Sequence, residues 1–442
     1  MTEENDLETE LSAKKEDLWQ LALRLFPICR SITGNGTRQT LSLIQKQLPE
    51  LQIHEIPSGT QAFDWTVPNE WNITDAYIKA PDGTRLVDFQ KNNLHVVGYS
   101  VPFEGKLRLQ ELIPHLYSLP ELPDAIPYVT SYYEPRWGFC LAENERKKLK
   151  DEVVYDVKIA STLKPGSLTY ADLLIPGKSK KEILISTYIC HPSLANNELS
   201  GPVVATFLAK EILSKKQNER FYSYRFVFVP ETIGSICYLS QHHELLKKNV
   251  IAGYVITCVG DDHSFSYLES RQESSLTDRL TKHVLSCTGK SFTLYSYLER
   301  GSDERQYCSP GIDLPIGSLM RSKYGTYPEY HTSLDNLELI SAEALFGSLQ
   351  MYLKCFEALD QNHTYKTILP CEPQLGKRGL YPSLSTRDSA KNVRLMMNFL
   401  AYADGKRDLL SIAEKLNCSI FELIPMASLL HAEKVIEQNV TL

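Results

Sequence analysis

Four short stretches of the sequence carry side chains that can bind a metal ion or move a proton. His191, Glu231 and Asp261 each follow a strand-like run, and His331 lies in a loop rich in tyrosine and glycine. Two imidazoles and two carboxylates provide the nitrogen and oxygen ligands that zinc accepts, and a nearby glutamate can take a proton from a zinc-bound water. The residue types therefore favour a metal-dependent hydrolytic site.

Each of these residues alone also has an ordinary structural interpretation. An isolated histidine in a loop is more often a surface or hydrogen-bonding group than a ligand. His242 and His243 fall in a predicted helix, where a solvated face is favoured. His263 lies two residues beyond Asp261, where the backbone is expected to be leaving the strand edge already. The hypothesis of a site depends on the whole ordered set.

The elements that carry these residues alternate between strand and helix. Strand-like Ile183–Ile189 precedes a helical pattern at Ser200–Lys215, strand-like Tyr224–Pro230 precedes another at Ile233–Lys248, and strand-like Gly253–Val259 follows. Alternation of this kind predicts an α/β layer fold, and open α/β sheets place their sites at the ends of the strands.

The chain divides into three predicted parts. Residues 1–64 and 165–365 form the α/β domain, and residues 65–164, rich in proline, tryptophan and tyrosine, form an inserted, mostly β module. A linker from Tyr365 to Ser385 carries three prolines. Three helical patterns follow, so residues 376–442 are predicted to form a small winged-helix domain.

Composition excludes some classes of protein. The 442 residues are 43% hydrophobic and 23% charged, without an apolar run near the ~20 residues that a membrane span needs. The first residues are acidic and polar, which predicts no secretory signal and a cytoplasmic location. The ten cysteines are scattered without a CxxC pair, so reduced thiols are expected. A net charge of -7 gives no reason to expect nucleic acid as a partner.

Taken in order, six motifs resemble one family. They are His191-Pro-Ser, Asn196-Asn-Glu-Leu-Ser-Gly201, Pro230-Glu-Thr-Ile-Gly-Ser235, Gly260-Asp261, Gly301-Ser-Asp303 and Tyr330-His-Thr-Ser-Leu-Asp335. The series, over about residues 10–365, resembles the bacterial aminopeptidase-like family (DUF4910/DUF2172 type), which is related to the M28 zinc aminopeptidases. The resemblance implies a phosphorylase/hydrolase-like zinc-exopeptidase sandwich.

The resemblance also implies a ligand set. In that family the order is His, Asp, a Glu-Glu pair, Asp or Glu, then His, and the first Asp bridges two zinc ions. His191, Asp261 and His331 match terminal ligands, whereas Asn197 stands at the bridging position. An amide oxygen coordinates zinc weakly and supplies no charge to hold two dications together, so one zinc ion is expected rather than two. Glu198 is a neighbouring carboxylate, which the helix entry is expected to turn elsewhere.

A single Glu231 stands where the family has Glu-Glu. Its spacing from Asn197 fits the general-base member of the pair, which leaves Thr232 at the ligand position. We therefore expect Glu231 to be the catalytic base, with a role as metal ligand as the alternative. Tyr330 is expected to help zinc stabilise the oxyanion.

A charged stretch precedes Pro310. Asp303 or Asp335 could orient a ligand imidazole, which metal-bound histidines usually require. Arg305 could bind a substrate carboxylate. A surface charge network that also includes Arg300 explains the same residues equally well.

Five aromatic residues of the insert allow two interpretations. They either fill a small β core, which is the favoured interpretation, or shape a sugar or peptide site: Trp65, Trp71, Tyr132, Tyr133 and Trp137.

The winged-helix segment allows a regulatory interpretation. Its last helical pattern, Ser419–His431, contains Glu422 but no Lys or Arg, which argues against DNA reading. Packing on the catalytic domain or formation of a homo-oligomer is favoured.

Zinc-dependent hydrolysis of a peptide-like amide is thus the leading function, on a small peptide or glycan-amide substrate, since relatives are commonly associated with surface-polysaccharide clusters. Neither nucleic acid nor a membrane is an expected partner. The alternative is a ligand-binding or scaffold protein that kept the fold and lost its activity. A DNA-binding regulator is a third and disfavoured hypothesis.

Overall fold

The computed structural model of the protein describes residues 2–380 and 387–439. The helices are α1 (Thr2–Leu25), α2 (Asn35–Gln47), α3 (Leu109–Leu112), α4 (Glu143–Arg146), α5 (Ser200–Ser214), α6 (Ile233–Asn249), α7 (Leu276–Cys287), α8 (Glu304–Tyr307), α9 (Ala342–Asp360), α10 (Arg387–Tyr402), α11 (Leu409–Leu416) and α12 (Ile420–Ala432). The strands are β1 (Gln52–Pro57), β2 (Gln61–Ala62), β3 (Trp65–Thr66), β4 (Glu70–Lys79), β5 (Arg85–Asp88), β6 (Phe103–Arg108), β7 (Leu116–Tyr117), β8 (Phe139–Cys140), β9 (Val154–Lys164), β10 (Ser167–Ile175), β11 (Glu182–Tyr188), β12 (Ser223–Val229), β13 (Val250–Val255), β14 (Ser266–Leu268), β15 (Thr293–Tyr295), β16 (Ile316–Met320), β17 (Thr364–Thr367), β18 (Asp404–Asp408) and β19 (Ile436–Asn439).

A sheet of eight strands organises the larger of two compact units, which contains residues 1–277 and 292–350. The strand order is β1-β10-β12-β11-β13-β16-β14-β15. The four central strands β12, β11, β13 and β16 run parallel, so their carboxyl ends meet at one edge. Every residue of β11 and β12 is buried, as expected of parallel strands that are covered on both faces.

Helices pack on this sheet close to the edge where the parallel strands end. Helix α5 packs against β11 and α1, and α6 packs against β10 and β12. Helix α5 approaches the sheet at Gly201, where an added Cβ would lie 2.3 Å from the carbonyl oxygen of Ile256 and 2.6 Å from Thr187 Oγ1. A glycine at this position therefore allows the helix to start against the strand ends.

The insert forms its own antiparallel sheet in the order β5-β4-β9-β6, with a separate apolar core. Trp71 is buried, and Trp137 stacks on His115 with ring centroids 3.6 Å apart. Trp65 and Tyr133 are instead 39% and 51% exposed. The prediction that these aromatic residues fill a β core therefore holds for Trp71 but not for Trp65 and Tyr133.

The smaller unit contains residues 278–291 and 351–442. Its sheet has the order β18-β17-β19, and α10, α11 and α12 belong to the same unit. The sequence predicted that this module starts at residue 376, which leaves out β17. Strand β17 pairs with both β18 and β19 and is therefore the central strand of the sheet. The predicted linker Tyr365–Ser385 accordingly begins inside a strand, and its residues 381–385 lie outside the described residues.

Across the described ranges, we find no helix that combines the length and apolar character required for crossing a membrane.

Replacement of Gly201 by alanine should destabilise the larger unit. The added methyl group has no space against the Ile256 carbonyl, so we expect the free energy of unfolding to fall by about 1–3 kcal/mol. Gly311→Ala is the matched control, because nothing lies within 4 Å of its added Cβ. Urea unfolding measures both variants, and equal midpoints would contradict the packing described here.

Candidate functional site

Two of the predicted residues meet because their strands are neighbours. His191 follows β11 and Glu231 follows β12, and these strands pair in parallel through Tyr188 and Val229. The two side chains approach at the sheet edge, where His191 Nε2 lies 3.6 Å from Glu231 Oε2. The His191 side chain is 6% exposed and the Glu231 side chain 22% exposed, so both are largely buried.

His331 joins this pair from a separate loop. Its Nε2 lies 3.1 Å from Asn197 Oδ1, and its ring centroid lies 5.5 Å from that of His191. Tyr128 contacts both imidazoles edge to face, at 5.1 Å each, and Tyr330 stacks on His331 at 3.9 Å. The structure thus brings His191, Asn197, Glu231 and His331 into one cluster.

The insert positions the His331 loop through its backbone. The Tyr128 N–H donates to the His331 carbonyl at 2.8 Å, and the Ile126 N–H donates to Ser333 Oγ at 2.9 Å. The inserted module therefore forms part of the site, although no pattern around Tyr128 indicated this in the sequence.

Glu198 orients His191. Its Oε2 lies 2.7 Å from His191 Nδ1 and also accepts hydrogen bonds from the backbone N–H groups of Cys190 and His191. Its Oε1 accepts from Arg30 Nε at 2.8 Å, and both charged side chains are 1% exposed. A metal-binding histidine commonly has a carboxylate at its other ring nitrogen, and this contact leaves Nε2 facing Glu231.

The orienting carboxylate is not one of the two that the sequence suggested. Asp303 Oδ1 accepts from the Thr232 N–H and from Ser235 Oγ, at 2.7 and 2.9 Å. Asp335 accepts from the backbone N–H groups of residues 195–197 and thereby fixes the short π-helical turn that carries Asn197. Both carboxylates hold the backbone around the site, and among the described residues neither is hydrogen-bonded to an imidazole.

A second group of potential ligands lies on the Nδ1 side of His191. Cys190 Sγ, His191 and Glu198 are the group of three within 4.8 Å that the described residues contain. Both Glu198 oxygens already have partners. Burial raises the pKa of the Cys190 thiol to about 11, and its sulfur accepts from the Glu231 N–H. We therefore assign this trio to positioning of His191 and not to metal binding.

Asp261 does not join the two histidines. Its Oδ2 accepts from Asn196 Nδ2 at 2.7 Å and from the Ser322 N–H at 3.1 Å, and its Oδ1 accepts from the His263 N–H and contacts that ring. Both carboxylate oxygens of Asp261 therefore already have hydrogen-bond partners, and its role as a metal ligand stays a prediction.

Asn197 directs its amide oxygen at His331. Its Nδ2 donates to Tyr188 OH at 2.9 Å, which leaves Oδ1 for the imidazole. The Tyr188 hydroxyl is itself fixed by Thr257 Oγ1 at 2.6 Å. The bridging position is therefore rigid but uncharged.

Burial and neighbouring charges shift the ionisation of the cluster. Burial, and then His191, lower the pKa of His331 to about 3, so its imidazole is neutral. Burial raises the pKa of Glu231, whose Oε1 accepts from Ser302 Oγ at 2.8 Å. Burial, and then Glu231, raise the pKa of Asp303 to about 8. Burial opposes charge on His191, but Cys190 and Glu198 outweigh it and raise the His191 pKa.

Part of the backbone strain of the protein lies around the same cluster. Four of the eleven described residues other than glycine with positive φ angles are found here: Ser193 at 49°, Thr232 at 64°, Cys258 at 53° and His331 at 56°. Positive φ is especially unfavourable for a β-branched residue such as Thr232. A strained backbone conformation persists only where surrounding contacts enforce it. Such conformations are often found at functional sites.

Comparison with known proteins agrees with this architecture. Residues 19–362 match the family described as "Domain of unknown function (DUF4910)", and residues 363–438 match a winged helix-turn-helix. A protein of Clostridium acetobutylicum, named "Putative polysaccharide biosynthesis protein with aminopeptidase-like domain", is 47% identical over 90% of this chain and 91% of its own.

Solved structures give the same fold. A crystal structure of a "putative peptidase" from Clostridium acetobutylicum has a TM-score of 0.91 and 42% identity, and covers 98% of this chain and 100% of its own. BSAP, a zinc aminopeptidase from Bacillus subtilis, has a TM-score of 0.57 and 14% identity, over 79% of this chain and 94% of its own.

The fold is thus that of the M28 aminopeptidases, followed by a C-terminal winged helix. The chain belongs to the DUF4910 family. The resemblance and fold class predicted from the sequence are confirmed.

Removal of the Arg30 guanidinium should weaken the fold strongly. Arg30→Met removes the arginine counter-charge of the buried Glu198 carboxylate, so we expect a loss of about 3–5 kcal/mol in unfolding free energy. Arg271→Met is the control, since the Arg271–Asp313 pair is exposed and should leave the urea midpoint unchanged. Equal midpoints for the two variants would show that Glu198 does not need Arg30.

Proposed function

We propose that the chain hydrolyses a peptide-type amide bond with one zinc ion. The observation that carries the proposal is the cluster at the ends of β11 and β12. There, the carboxylate of the largely buried Glu231 faces the Nε2 atom of an oriented histidine, with a second imidazole beside it. The aminopeptidase fold and the named aminopeptidase-like relative support the same class of reaction.

The donor set fits one ion. His191 Nε2, His331 Nε2 and Asn197 Oδ1 are the ligands we assign, with Glu231 next to them. Ligand atoms around a tetrahedral zinc lie about 3.4 Å apart, given zinc–nitrogen and zinc–oxygen distances near ~2.1 Å. The separation of 3.1 Å between His331 Nε2 and Asn197 Oδ1 agrees with that spacing. His191 approaches from the other side, with its ring centroid 5.5 Å from that of His331, and its Nε2 lies 3.6 Å from the proposed base Glu231.

The donor set does not fit two ions. A bridging carboxylate is needed to hold two dications together, and Asn197 offers only an amide. Thr232 stands at the position of a second ligand carboxylate, and its Oγ1 accepts from Arg305. The nearby Asp303 and Asp335 bind backbone N–H groups instead.

Each step of the proposed reaction is assigned to a side chain of the site. A bound zinc ion supplies a Lewis acid for the scissile carbonyl and the attacking water. Glu231 accepts one water proton at Oε2 while Ser302 holds Oε1, and the water oxygen bonds to the carbonyl carbon. Glu231 then passes that proton to the leaving nitrogen as the carbon–nitrogen bond breaks, which yields a carboxylic acid and an amine. Tyr330, stacked on His331, is the side chain we assign to the developing oxyanion.

The substrate we propose is a small peptide or an amide on a glycan. The fold supports the peptide, and the polysaccharide biosynthesis named for the relative supports the glycan. Both contain the same reacting amide group.

A ligand-binding protein without activity is the second candidate. Asn197 and a neutral His331 satisfy each other by a direct hydrogen bond, which requires no metal ion. Metal content separates the two candidates.

Zinc content should be about one ion per chain. His191→Ala and His331→Ala should each lose the ion, because each removes one of its two imidazoles. Asp261→Asn should retain it, since Asp261 is bound elsewhere. Inductively coupled plasma mass spectrometry on protein purified without a metal-affinity tag measures this. Two ions per chain, or loss of zinc in Asp261→Asn, would contradict the ligand set, and no metal at all would favour the binding protein.

Loss of the Glu231 carboxylate should stop turnover without loss of zinc. Glu231→Gln keeps the shape of the side chain but cannot accept the proton, so kcat should fall by about 10²–10⁴ with little change in KM. Initial rates on aminoacyl and glycan amides measure this, and Glu299→Gln is the control because Glu299 is an exposed glutamate of the same region. Equal loss of zinc and activity in Glu231→Gln would instead make Glu231 a ligand.

A further inference from the structure

Arg305 lies beside the proposed base and lacks an acidic partner. Its Nη2 donates to Thr232 Oγ1 and its Nε donates to the Ser302 carbonyl, both at 3.0 Å. Both acceptors are neutral. Among the described residues, no carboxylate oxygen lies within 4.0 Å of its guanidinium nitrogens.

Three other arginines of the same unit pair with carboxylates, whereas the buried Arg220 donates to the backbone carbonyls of residues 176, 212 and 215. Arg30 pairs with Glu198 at 2.8 Å, Arg38 with Glu70 at 2.6 Å, and Arg225 with Glu182 at 2.6 Å. Arg305 has neither a carboxylate nor such a set of carbonyls, since it has two neutral acceptors, and burying a charge is costly unless it is paired and hydrogen-bonded.

The guanidinium also lies close to the reacting atoms. Ser302 joins Arg305 to Glu231, because its carbonyl accepts from Arg305 and its hydroxyl donates to Glu231 Oε1. Thr232 directly follows Glu231 in the chain. Burial raises the pKa of Glu231 and of Tyr330, and the positive charge of Arg305 opposes this rise at both residues.

The neutral side chain at position 232 leaves the guanidinium available. A glutamate there would pair with Arg305, whereas the threonine accepts one hydrogen bond and supplies no charge. A guanidinium has five N–H donors in a planar fork that suits a carboxylate, and the contacts above use only two of them.

We infer that Arg305 binds a carboxylate group of the substrate next to the scissile amide, so that the substrate is anionic. The inference rests on the proposed function, because it places the anion relative to Glu231. The carboxylate can be the terminus of a short peptide or that of a sugar acid, since both present the same group to the guanidinium.

Binding of paired probes tests the inference. The probes are alanyl-alanine against its C-terminal amide, and glucuronate against glucose, titrated by calorimetry into zinc-loaded full-length protein. All proteins carry Glu231→Gln so that the dipeptide is not consumed. With Arg305 present, we expect the carboxylate member of at least one pair to bind about 10–100 times more tightly than the neutral member. The responding pair identifies the source of the carboxylate.

Variants at position 305 complete the test. Arg305→Gln should reduce the ratio to about one and leave the neutral probe unaffected, and Arg305→Lys should keep an intermediate ratio because it keeps the charge but not the fork. Arg300→Gln is the control, since Arg300 is exposed and lies over the Tyr297 ring. Equal unfolding midpoints of these variants and the protein with Arg305 exclude a folding defect. If Arg305→Gln does not fold, the comparison is made with Arg305→Lys alone.

The outcomes separate this inference from the proposed function. No preference for the carboxylate in either pair, or a preference that survives in Arg305→Gln, overturns the role of Arg305. A preference that depends on Arg305, in a protein that hydrolyses no amide when Glu231 is restored, supports the carboxylate site and refutes the hydrolase. Hydrolysis of acid and amide dipeptides with equal KM refutes the carboxylate site alone.

Discussion

The buried carboxylate of Glu198 is the constraint on which the site depends. It accepts hydrogen bonds from Arg30, which lies in the segment after α1, and from backbone N–H groups that follow β11. It also contacts Nδ1 of His191. A carboxylate that is 1% exposed is stable only with such compensation. The contacts that compensate the charge of Glu198 are therefore the same contacts that fix the direction of His191. Both the stability of the fold and the geometry of the site depend on this residue.

The distribution of charge around the cluster follows from the side chains at two positions. Asn197 and Thr232 are neutral where the aminopeptidase pattern has carboxylates, so the cluster has less negative charge to hold metal ions. In the account proposed above, one zinc ion and the Arg305 guanidinium together provide the positive charge. Thr232, one of the two neutral residues that weaken the case for a second metal ion, also leaves Arg305 without a negative partner at this position.

Much of the fold could be predicted because strand and helix patterns are local. The alternation from Ile183 to Val259 gave parallel strands whose ends meet, which is why His191 and Glu231 lie together as expected. Asp261 was expected at a strand end too, but β13 ends at Val255, and the Asp261 carboxylate accepts hydrogen bonds from Asn196 and Ser322. Strand position alone does not determine the direction of a side chain once the backbone has turned.

The contributions of distant segments could not be predicted. Arg30 and Tyr128 reach the site from the N-terminal region and from the insert, through contacts that no sequence spacing encodes. Glu198 was expected to turn elsewhere, and it does turn away from the metal position, but toward His191 Nδ1. The start of the C-terminal module was predicted too late because β17 is only four residues long and lies within an apparent linker.

Anomalous X-ray scattering at the zinc edge, from crystals grown with zinc, tests the central claim most directly. The account predicts one peak per chain, within bonding distance of the Nε2 atoms of His191 and His331 and close to Asn197 Oδ1. Two peaks at this cluster, or one peak between Cys190 and Glu198, would contradict the single-ion site and the positioning role of Glu198.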